Sequence, residues 1–360
     1  MRAGTFGVVK ARDRTGEDRR SESEQDSALL VMRSLVVSIA RSQGVVDIVR
    51  SVDLTVNRGE VVGISGESGS GKTLTALAIL GLLPRSASIH GEIEFDGRNL
   101  LAVGRESLRQ VRGGEIGFVF QDPKTSLHPM LTVERQITEH LQAHRHLGRR
   151  ALRSRALELL DLVRLPNPNV ALRSYPHQFS GGMRQRVAIA VALACDPKLL
   201  VADEPTTALD VTVQAQILEL LESLRRERNL SVLLITHDLG VISAIADRLY
   251  VMYAGQVVEN GPVTDLLQNP RHPYTSALLQ ALPRMHVEQD RLADIPGSPP
   301  QFASLPKGCS FRPRCAMSVE SCSTLSPAIA QLTEAHSVRC SVSVDNGGLV
   351  EIPTRVSDGP

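Results

Sequence analysis

The eight-residue stretch at 66–73 constrains the fold of this 360-residue chain more than any other feature. It matches the pattern G-x-x-x-x-G-K-[ST] at every fixed position, with the residues Gly66, Glu67, Ser68, Gly69, Ser70, Gly71, Lys72 and Thr73. The apolar run at 61–65 predicts a buried strand, and 74–80 predicts the helix that follows. Glycines in such a turn let backbone N–H groups approach an anion, at the positive end of a helix. The sequence therefore predicts a nucleoside-triphosphate site, with Lys72 on the β- and γ-phosphates and the Thr73 hydroxyl on Mg²⁺.

The composition limits the class of protein. Hydrophobic residues make up 42% of the chain, which is ordinary for one large globular domain with an appendage, or for two domains. Lys and Arg (40) nearly balance Asp and Glu (39), so charge does not favour nucleic acid or an anionic membrane as the main partner. The longest apolar runs, such as 187–195, are shorter than the roughly 18–20 residues of a membrane span. The polar N-terminus lacks the apolar core of a signal peptide, so we expect a cytosolic chain that meets the membrane through another subunit.

Short apolar runs alternate with helical patterns along the chain. Strands are predicted at 29–39, 48–56, 61–65, 91–97, 116–120, 199–202 and 232–235, with a long helix at 213–227. This alternation predicts an α/β fold with a mostly parallel sheet covered by helices. The charged helical block at about 122–180 predicts an insertion into that fold. Residues 1–27 lack apolar periodicity and are predicted to form a disordered leader.

Two adjacent acids follow the predicted strand at 199–202. The carboxyl ends of parallel strands face the crevice in which α/β sheets bind ligands. Asp203 is therefore a candidate to hold Mg²⁺, directly or through water. Glu204 is a candidate general base that polarises the attacking water. Acids after a strand are common where a loop begins in solvent, and it is the phosphate loop that favours the functional interpretation here.

A second glycine-rich segment, Ser180, Gly181 and Gly182, opens the helical run that contains 187–193. Ser180 suits an N-cap, so an ordinary capped helix is one interpretation. The other interpretation is a second anion site, formed by the serine hydroxyl, the glycine N–H groups and the helix dipole. The segment alone does not decide between them.

Six short motifs occur in one order along the chain. They are the phosphate loop at 66–73, Gln121 after a strand, 179–183, 199–205, 208–210, and His237 after a strand. This order resembles the nucleotide-binding subunit of ABC transporters, over roughly residues 29–265. The resemblance implies a P-loop ABC ATPase core with antiparallel N-terminal strands beside the mostly parallel sheet, and with ATP and Mg²⁺ as its cofactors.

The same resemblance implies roles for the remaining motifs. In that family two subunits pair head to tail, and the Ser-Gly-Gly motif of one, here 180–182, closes over the ATP held by the other. Gln121 would bind Mg²⁺ and sense the γ-phosphate, and Asp210 would couple the two sites across the dimer. His237 would contact the γ-phosphate and hold the transition-state geometry.

Three segments narrow the resemblance to one branch. Segments 122–129, 175–186 and 272–275 are similar to the oligopeptide, dipeptide and nickel permeases. These ATPases energise import as two subunits, usually non-identical, beneath two membrane-spanning subunits, with a separate substrate-binding protein outside. The resemblance therefore implies a peripheral ATPase at the cytoplasmic face of the cell membrane that energises import of peptides or similar small solutes, without nucleic acid as a partner.

The resemblance also implies a division of the chain. The nucleotide-binding domain would span 28–265, with its helical subdomain at about 122–180. A C-terminal extension of the peptide-permease type would span 266–345, followed by a flexible tail at 346–360. Two other functions stay open: a soluble ABC ATPase that transports nothing, and the ATPase of a peptide exporter. Neutral charge and the lack of a second cassette in the chain count against the first, while the membrane partners decide the second.

One position departs from the family pattern. ABC ATPases usually place an aromatic residue before the phosphate loop to stack on adenine. Alignment puts Ile39 there, and the chain has no Phe, Tyr or Trp between Gly7 and Glu94. We therefore expect adenine to meet an aliphatic surface, with looser selectivity for the base.

Four of the five cysteines fall close together near the C-terminus: Cys309, Cys315, Cys322 and Cys340. Clustered thiols in a cytosolic protein favour a metal over disulfides, whereas Cys195 in an apolar helix suits packing. The spacings do not match the tight pairs of zinc ribbons, while four-cysteine ligation also suits a [4Fe–4S] cluster. The segments 308–309 and 311–315 resemble the extension of the peptide-permease ATPases, where such a cluster is found. An iron–sulfur cluster is the prediction, with zinc and unliganded thiols as alternatives.

Overall fold

The computed structural model describes residues 27–42, 44–207, 209–281, 295–345 and 348–351, so the predicted leader at 1–27 and tail at 346–360 lie largely outside it. The strands are β1 (Ala28–Arg41), β2 (Gly44–Asn57), β3 (Val61–Ser65), β4 (Ala87–Phe95), β5 (Arg98–Asn99), β6 (Ile116–Val119), β7 (Leu199–Asp203), β8 (Ser231–Ile235), β9 (Arg248–Tyr253), β10 (Gln256–Pro262), β11 (Ala330–Gln331), β12 (Ser337–Val338), β13 (Val342–Asp345) and β14 (Gly348–Glu351). The helices are α1 (Lys72–Ile79), α2 (Arg105–Gly114), α3 (Pro123–Ser126), α4 (Val133–His144), α5 (Arg149–Leu162), α6 (Pro168–Ala171), α7 (Gly181–Ala192), α8 (Val211–Arg228), α9 (Leu239–Ile245), α10 (Val263–Gln268) and α11 (Pro273–Gln280). Among these described residues, no helix combines the length and the apolarity needed to cross a membrane.

A mixed sheet of eight strands forms the centre of the fold, in the order β11-β12-β10-β9-β3-β8-β7-β6. The five strands from β9 to β6 in that order run parallel to one another. Strands β3, β7 and β8 are buried at every position, as expected where a parallel sheet is covered on both faces. The predicted α/β fold with a mostly parallel sheet is confirmed.

A second sheet is antiparallel, with the order β2-β1-β4-β5. Its first two strands form a hairpin whose pairing runs from Ala28 and Asn57 to Arg41 and Gly44. Strand β2 therefore begins before the predicted residue 48. Its first four residues, 44–47, are exposed or half-exposed and carry no burial pattern that sequence periodicity could detect. The antiparallel N-terminal strands implied by the family resemblance are present.

Helices α3–α6 lie within the predicted helical insertion at about 122–180. Helix α4 begins after Thr132, whose hydroxyl accepts a hydrogen bond from the Arg135 N–H. The buried faces of α4 and α5 share one apolar core with α7 and the central strands. The Pro- and Asn-rich segment at 166–169 contains the start of α6, because proline is well tolerated at the first position of a helix.

The C-terminal part of the chain is joined to the central sheet. Strand β12 pairs antiparallel with β10, and β11 pairs with β12, so the sheet continues into the residues beyond 330. Tyr253, Tyr274 and Phe311 form a ring cluster in which centroids lie 4.6, 5.2 and 5.3 Å apart. Aromatic pairs at such distances contribute about 0.5–1.5 kcal/mol each beyond the area that they bury. The extension is therefore packed firmly against the end of β9.

One histidine in this packing makes stability depend on pH. His272 is buried before α11, where its Nδ1 accepts a hydrogen bond from the Tyr274 N–H at 3.0 Å. Burial lowers the pKa of His272 from 6.5 to about 4, although the neighbouring Glu259 favours the charged form. Between those two values the unfolded chain binds more protons, so stability present above pH 6.5 is lost as the pH falls towards 4. We expect a loss on the order of 3 kcal/mol in the free energy of unfolding across that window.

The measurement is denaturant unfolding of the full chain at several pH values, beside His272→Asn as the matched variant. Asparagine also caps helices but does not titrate, so its stability should vary less across this window. Parallel loss of stability in both proteins would show that His272 is not the group responsible.

Candidate nucleotide-binding site

The phosphate loop connects the buried strand β3 to α1. Gly66 has a φ of +149°, and a Cβ there would lie 2.1 Å from the carbonyl oxygen of Met252, so the position requires glycine. Gly71 precedes α1 with a φ of +104°. Lys72 is 6% exposed, and its ammonium group donates hydrogen bonds to the carbonyl oxygens of Gly66 at 2.7 Å and Glu67 at 2.9 Å. The loop therefore folds around its lysine at the start of a helix, as a phosphate cradle does.

A cavity of about 210 Å³ opens beside this loop. Its lining residues are Ile48, Ser68, Gly69, Gly71, Lys72, Thr73, Leu74, Gln121 and Glu204. The fold thus brings Gln121 and Glu204, which lie far along the chain, to the phosphate loop. Burial lowers the pKa of Lys72, while the carboxylates of Glu204, Asp203 and Glu67 oppose that shift. Carboxylates therefore outnumber the lysine at this site. Such a site suits a phosphate ligand that binds together with a divalent cation, because the cation offsets the negative charge.

Asp203 is the group best placed for that cation. It ends β7, is 3% exposed, and its Oδ1 has no hydrogen-bond partner. Burial raises the pKa of Asp203, with Thr73 opposing through a hydrogen bond and Glu204 adding to the rise. An unpartnered buried carboxylate oxygen beside a hydroxyl fits Mg²⁺, which takes oxygen ligands. The residues that fit Mg²⁺ are Thr73, Gln121 and Asp203.

Glu204 is held in place by three side chains. Its Oε2 accepts hydrogen bonds from the Gln121 amide and the Thr207 hydroxyl, each at 2.9 Å, and its Oε1 lies 3.0 Å from Nδ1 of His237. Its φ of +48° is in the left-handed region, which is strained for a residue with a side chain. Burial opposes ionisation, but the hydrogen bonds from His237 and Thr207 outweigh it and lower the pKa of Glu204. Glu204 is therefore an ionised and oriented carboxylate, as a general base requires.

Asp203 and His237 are not among the residues that line this cavity, but they hydrogen-bond to Thr73 and Glu204, which are. The segment 180–182 and Asp210 do not line it either. Ser180 is exposed and caps α7, accepting a hydrogen bond from the Met183 N–H at 3.3 Å. Asp210 is also exposed and caps α8, accepting from the Val213 N–H at 2.9 Å. Within this chain both therefore act as helix caps, on a surface that is open to another molecule.

The structure adds two residues that sequence reasoning missed, both on Glu67 of the phosphate loop. The Arg314 guanidinium donates to the Glu67 carboxylate at 2.6 and 2.9 Å, and the side chains are 5% and 22% exposed. The Glu67 N–H donates to the Tyr274 hydroxyl at 2.8 Å. Hydrogen bonding to Glu67 raises the pKa of Arg314 further. The sequence did offer one signal for Arg314, which directly precedes Cys315 in the cysteine-rich segment. An arginine that is buried in such a segment needs an acidic partner.

The four C-terminal cysteines are free thiols within one region. Among the described residues, no group of three or more His, Cys, Asp or Glu side chains is placed to hold a metal ion. The Cys340 thiol instead donates to the carbonyl oxygen of Val342 at 2.6 Å. Burial raises the pKa of Cys340 to about 12, and the neighbouring thiols of Cys309, Cys315 and Cys322 add to the rise. The donor chemistry therefore suits a metal, whereas the arrangement of the thiols does not form the predicted four-ligand site.

Two family models match different parts of the chain. The model described as ABC transporter matches residues 49–207, which contain the phosphate loop and Glu204. The model described as oligopeptide/dipeptide transporter, C-terminal region, matches residues 258–322, which contain Tyr274 and Arg314. The second match thus covers the part of the extension that contacts the phosphate loop.

Several protein sequences and solved structures are similar to this chain over most of their own length. A Brucella abortus (strain 2308) protein that carries the name peptide import ATP-binding protein is 49% identical over 319 residues, covering 88% of this chain and 96% of that protein. The oligopeptide transport ATP-binding protein AppD of Bacillus subtilis (strain 168) is 46% identical over 323 residues, covering 89% and 98%. The dimeric structure of MJ0796, a bacterial ABC transporter cassette, has a TM-score of 0.59 and 31% identity, covering 65% of this chain and 99% of that one.

Proposed function

Since this chain belongs to the ABC transporter family as an ATP-hydrolysing subunit, we propose that its ATPase activity energises the import of peptides or similar small solutes. The support for hydrolysis is Glu204, ionised and held by Gln121 and His237 at the phosphate-loop cavity. The support for peptides is the match of the extension to the oligopeptide/dipeptide transporter C-terminal region, together with relatives named for peptide import.

The proposed chemistry divides among the residues of the cavity. Bound Mg²⁺ neutralises charge on the phosphates, and Thr73, Gln121 and Asp203 would hold it. Lys72 would release its loop carbonyls and bind the β- and γ-phosphates. Glu204 would take a proton from the attacking water, a role worth about 10²–10⁴-fold in rate. His237, hydrogen-bonded to Glu204, would keep that carboxylate aimed at the γ-phosphate.

A second ATPase subunit is part of the proposal. Ser180 and Gly181 are exposed at the start of α7, whereas Gly182 is buried, and a serine hydroxyl at a helix N-terminus suits an anion. Because the segment does not line its own chain's cavity, we assign it to the nucleotide of a partner arranged head to tail. Asp210, exposed at the start of α8, would lie at the same interface and couple the two sites. The partner ATPase is proposed to be non-identical.

The remaining proposed partners are two membrane-spanning permease subunits and an extracytoplasmic substrate-binding protein. The chain would then lie on the cytoplasmic face of the membrane without crossing it. To test this, the tagged Glu204→Gln chain, which should retain ATP in a closed dimer, is purified from detergent-solubilised membranes of its native host. Co-purification of two multi-span proteins, a sister ATPase and a secreted binding protein supports peptide-type import.

Other outcomes of that purification reject the proposal in defined ways. Membrane subunits without a binding protein would indicate export instead. A chain found wholly in the soluble fraction, with no membrane partner, would indicate a soluble ABC ATPase. The unsubstituted chain, purified in the same way without ATP, is the control for partners that bind independently of nucleotide.

A narrower proposal concerns the four cysteines. The support for a [4Fe–4S] cluster is the chemistry of the donors, four free thiols of which three lie close enough to Cys340 to raise its pKa. The test is iron, sulfide and zinc content, with the visible absorption spectrum, of protein purified without oxygen. Cys309→Ser should abolish the iron, whereas Cys195→Ser should not, because Cys195 is buried in the core of the ATPase domain. Stoichiometric zinc, or no metal, would reject the cluster.

A further inference from the structure

The order of the strands determines which end of the cavity would hold the γ-phosphate and which end the base. Lys72 follows β3, and Gln121 and Glu204 follow β6 and β7, which lie on one side of β3 in the sheet. Strand β9 lies on the other side, and Gly255 follows it. Ile48, also lining the cavity, lies on that side, because its carbonyl oxygen is 2.3 Å from where a Cβ on Gly255 would stand. With the γ-phosphate at the Glu204 end, the ribose and base must extend towards Ile48.

A second cavity, of about 390 Å³, lies in that direction. It is lined by the hairpin of β1 and β2 and by the C-terminal extension, through Arg41, Val45, Val46, Asp47, Arg50, Phe302, Ala303 and Leu305. Phe302 lines this cavity and also lies beside the phosphate-loop residues 67–70, so this cavity is next to the phosphate loop. Its volume is ample for a purine ring. The base of a nucleotide held by the phosphate loop would therefore reach it.

Phe302 is the aromatic side chain in that second cavity. Its Cε1 lies 3.2 Å from the position that a Cβ on Gly255 would occupy. The Gly255 N–H donates to the Ser70 carbonyl oxygen at 3.0 Å, and its own carbonyl oxygen accepts from the Arg50 N–H at 2.8 Å. Phe302 therefore packs over Gly255, which links the phosphate loop to β2 through these two hydrogen bonds. Phe302 also lines a small cavity together with the phosphate-loop residues 67–70.

We propose that Phe302 stacks on the base of the bound nucleotide, which rests on the proposed ATPase function and deepens it. The segment before the phosphate loop has no aromatic residue, and Ile39, at the expected position, is a half-buried strand residue paired with Val46. The extension supplies the missing ring from more than two hundred residues later in the chain. The expectation of a purely aliphatic base site is thereby replaced. Phe302 is half-buried and lines the second cavity, so its side chain can contact a ligand there.

The test compares MgATP with inorganic triphosphate, which has the phosphates but no base, by equilibrium binding to the full chain. Phe302→Ala and Phe302→Leu should each weaken ATP binding by about tenfold, since aromatic stacking on a base is worth that much. Leucine keeps the apolar volume and removes only the ring. Phe302→Tyr should restore ATP affinity. Affinity for triphosphate should stay unchanged in all three variants.

Phe302→Trp gives a direct optical readout, because the chain has no tryptophan of its own. The fluorescence of that residue should be quenched by ATP and not by inorganic triphosphate. The proposal is overturned if Phe302→Leu binds ATP as tightly as the original chain, or if ATP and triphosphate weaken together, which would indicate damage to the phosphate loop. An original chain that binds neither ligand would instead reject the ATPase function itself.

Discussion

Replacing Glu204 with glutamine is expected to lower the ATP turnover number by at least about a hundredfold while leaving ATP affinity nearly unchanged. Glutamine has the shape of glutamate but cannot accept a proton from water. The carboxylate is ionised because His237 and Thr207 hydrogen-bond to it, so the loss should appear across the neutral pH range. Steady-state phosphate release gives the turnover number, and equilibrium binding of ATP gives the affinity.

Glu115→Gln is the matched control for that substitution. Glu115 pairs with Arg98 and Lys198 and does not line the phosphate-loop cavity, so its turnover should equal that of the original chain. A Glu204→Gln protein with undiminished turnover would remove Glu204 from the role of general base and direct attention to His237.

The second large effect is expected at the ion pair between the extension and the phosphate loop. Arg314→Gln should lower the free energy of unfolding by about 3 kcal/mol, because it leaves the largely shielded Glu67 carboxylate without its partner. It should also weaken ATP binding, since that carboxylate would then repel the phosphates. Denaturant unfolding measures the first effect, and equilibrium binding of ATP measures the second.

The double variant Glu67→Gln/Arg314→Gln distinguishes the interaction between these two side chains from the contacts that each makes with other residues. With both charges gone, neither group is left buried and unpaired, so most of the lost stability and ATP affinity should return. A double variant as unstable as the sum of the two single variants would mean that the pair contributes no coupling. In that case Arg314 would act through its hydrogen bond to the Pro296 carbonyl oxygen, at 2.8 Å.

The nucleotide site could be predicted from sequence wherever its chemistry is contained in a few consecutive residues. The phosphate loop and the pair Asp203–Glu204 are of this kind, because strand, turn and functional group follow one another directly. Gln121 and His237 became candidate site residues only through the family resemblance, and the structure places both within hydrogen-bonding distance of Glu204.

What a single sequence could not show are contacts between distant segments. Arg314 and Glu67 are 247 residues apart, and neither carries a local pattern that names the other. Phe302 likewise follows a stretch rich in proline, and only the fold places it over Gly255. The four cysteines show the opposite case, because their clustering and the family resemblance predicted a set of metal ligands that the thiols do not form among the described residues.

The way β12 continues the central sheet bears on how extensions could be exchanged between relatives. A chimaera joined after α10 would inherit β10 with a bare edge, a surface that pairs readily with other chains, unless the incoming segment supplied a matching strand. It would also need an arginine opposite Glu67 and a hydrogen-bonding group opposite the fully buried Glu259. The C-terminal extension and the ATPase domain therefore depend on each other's contact residues. A chimaera whose extension lacks the residues that contact the ATPase domain should aggregate.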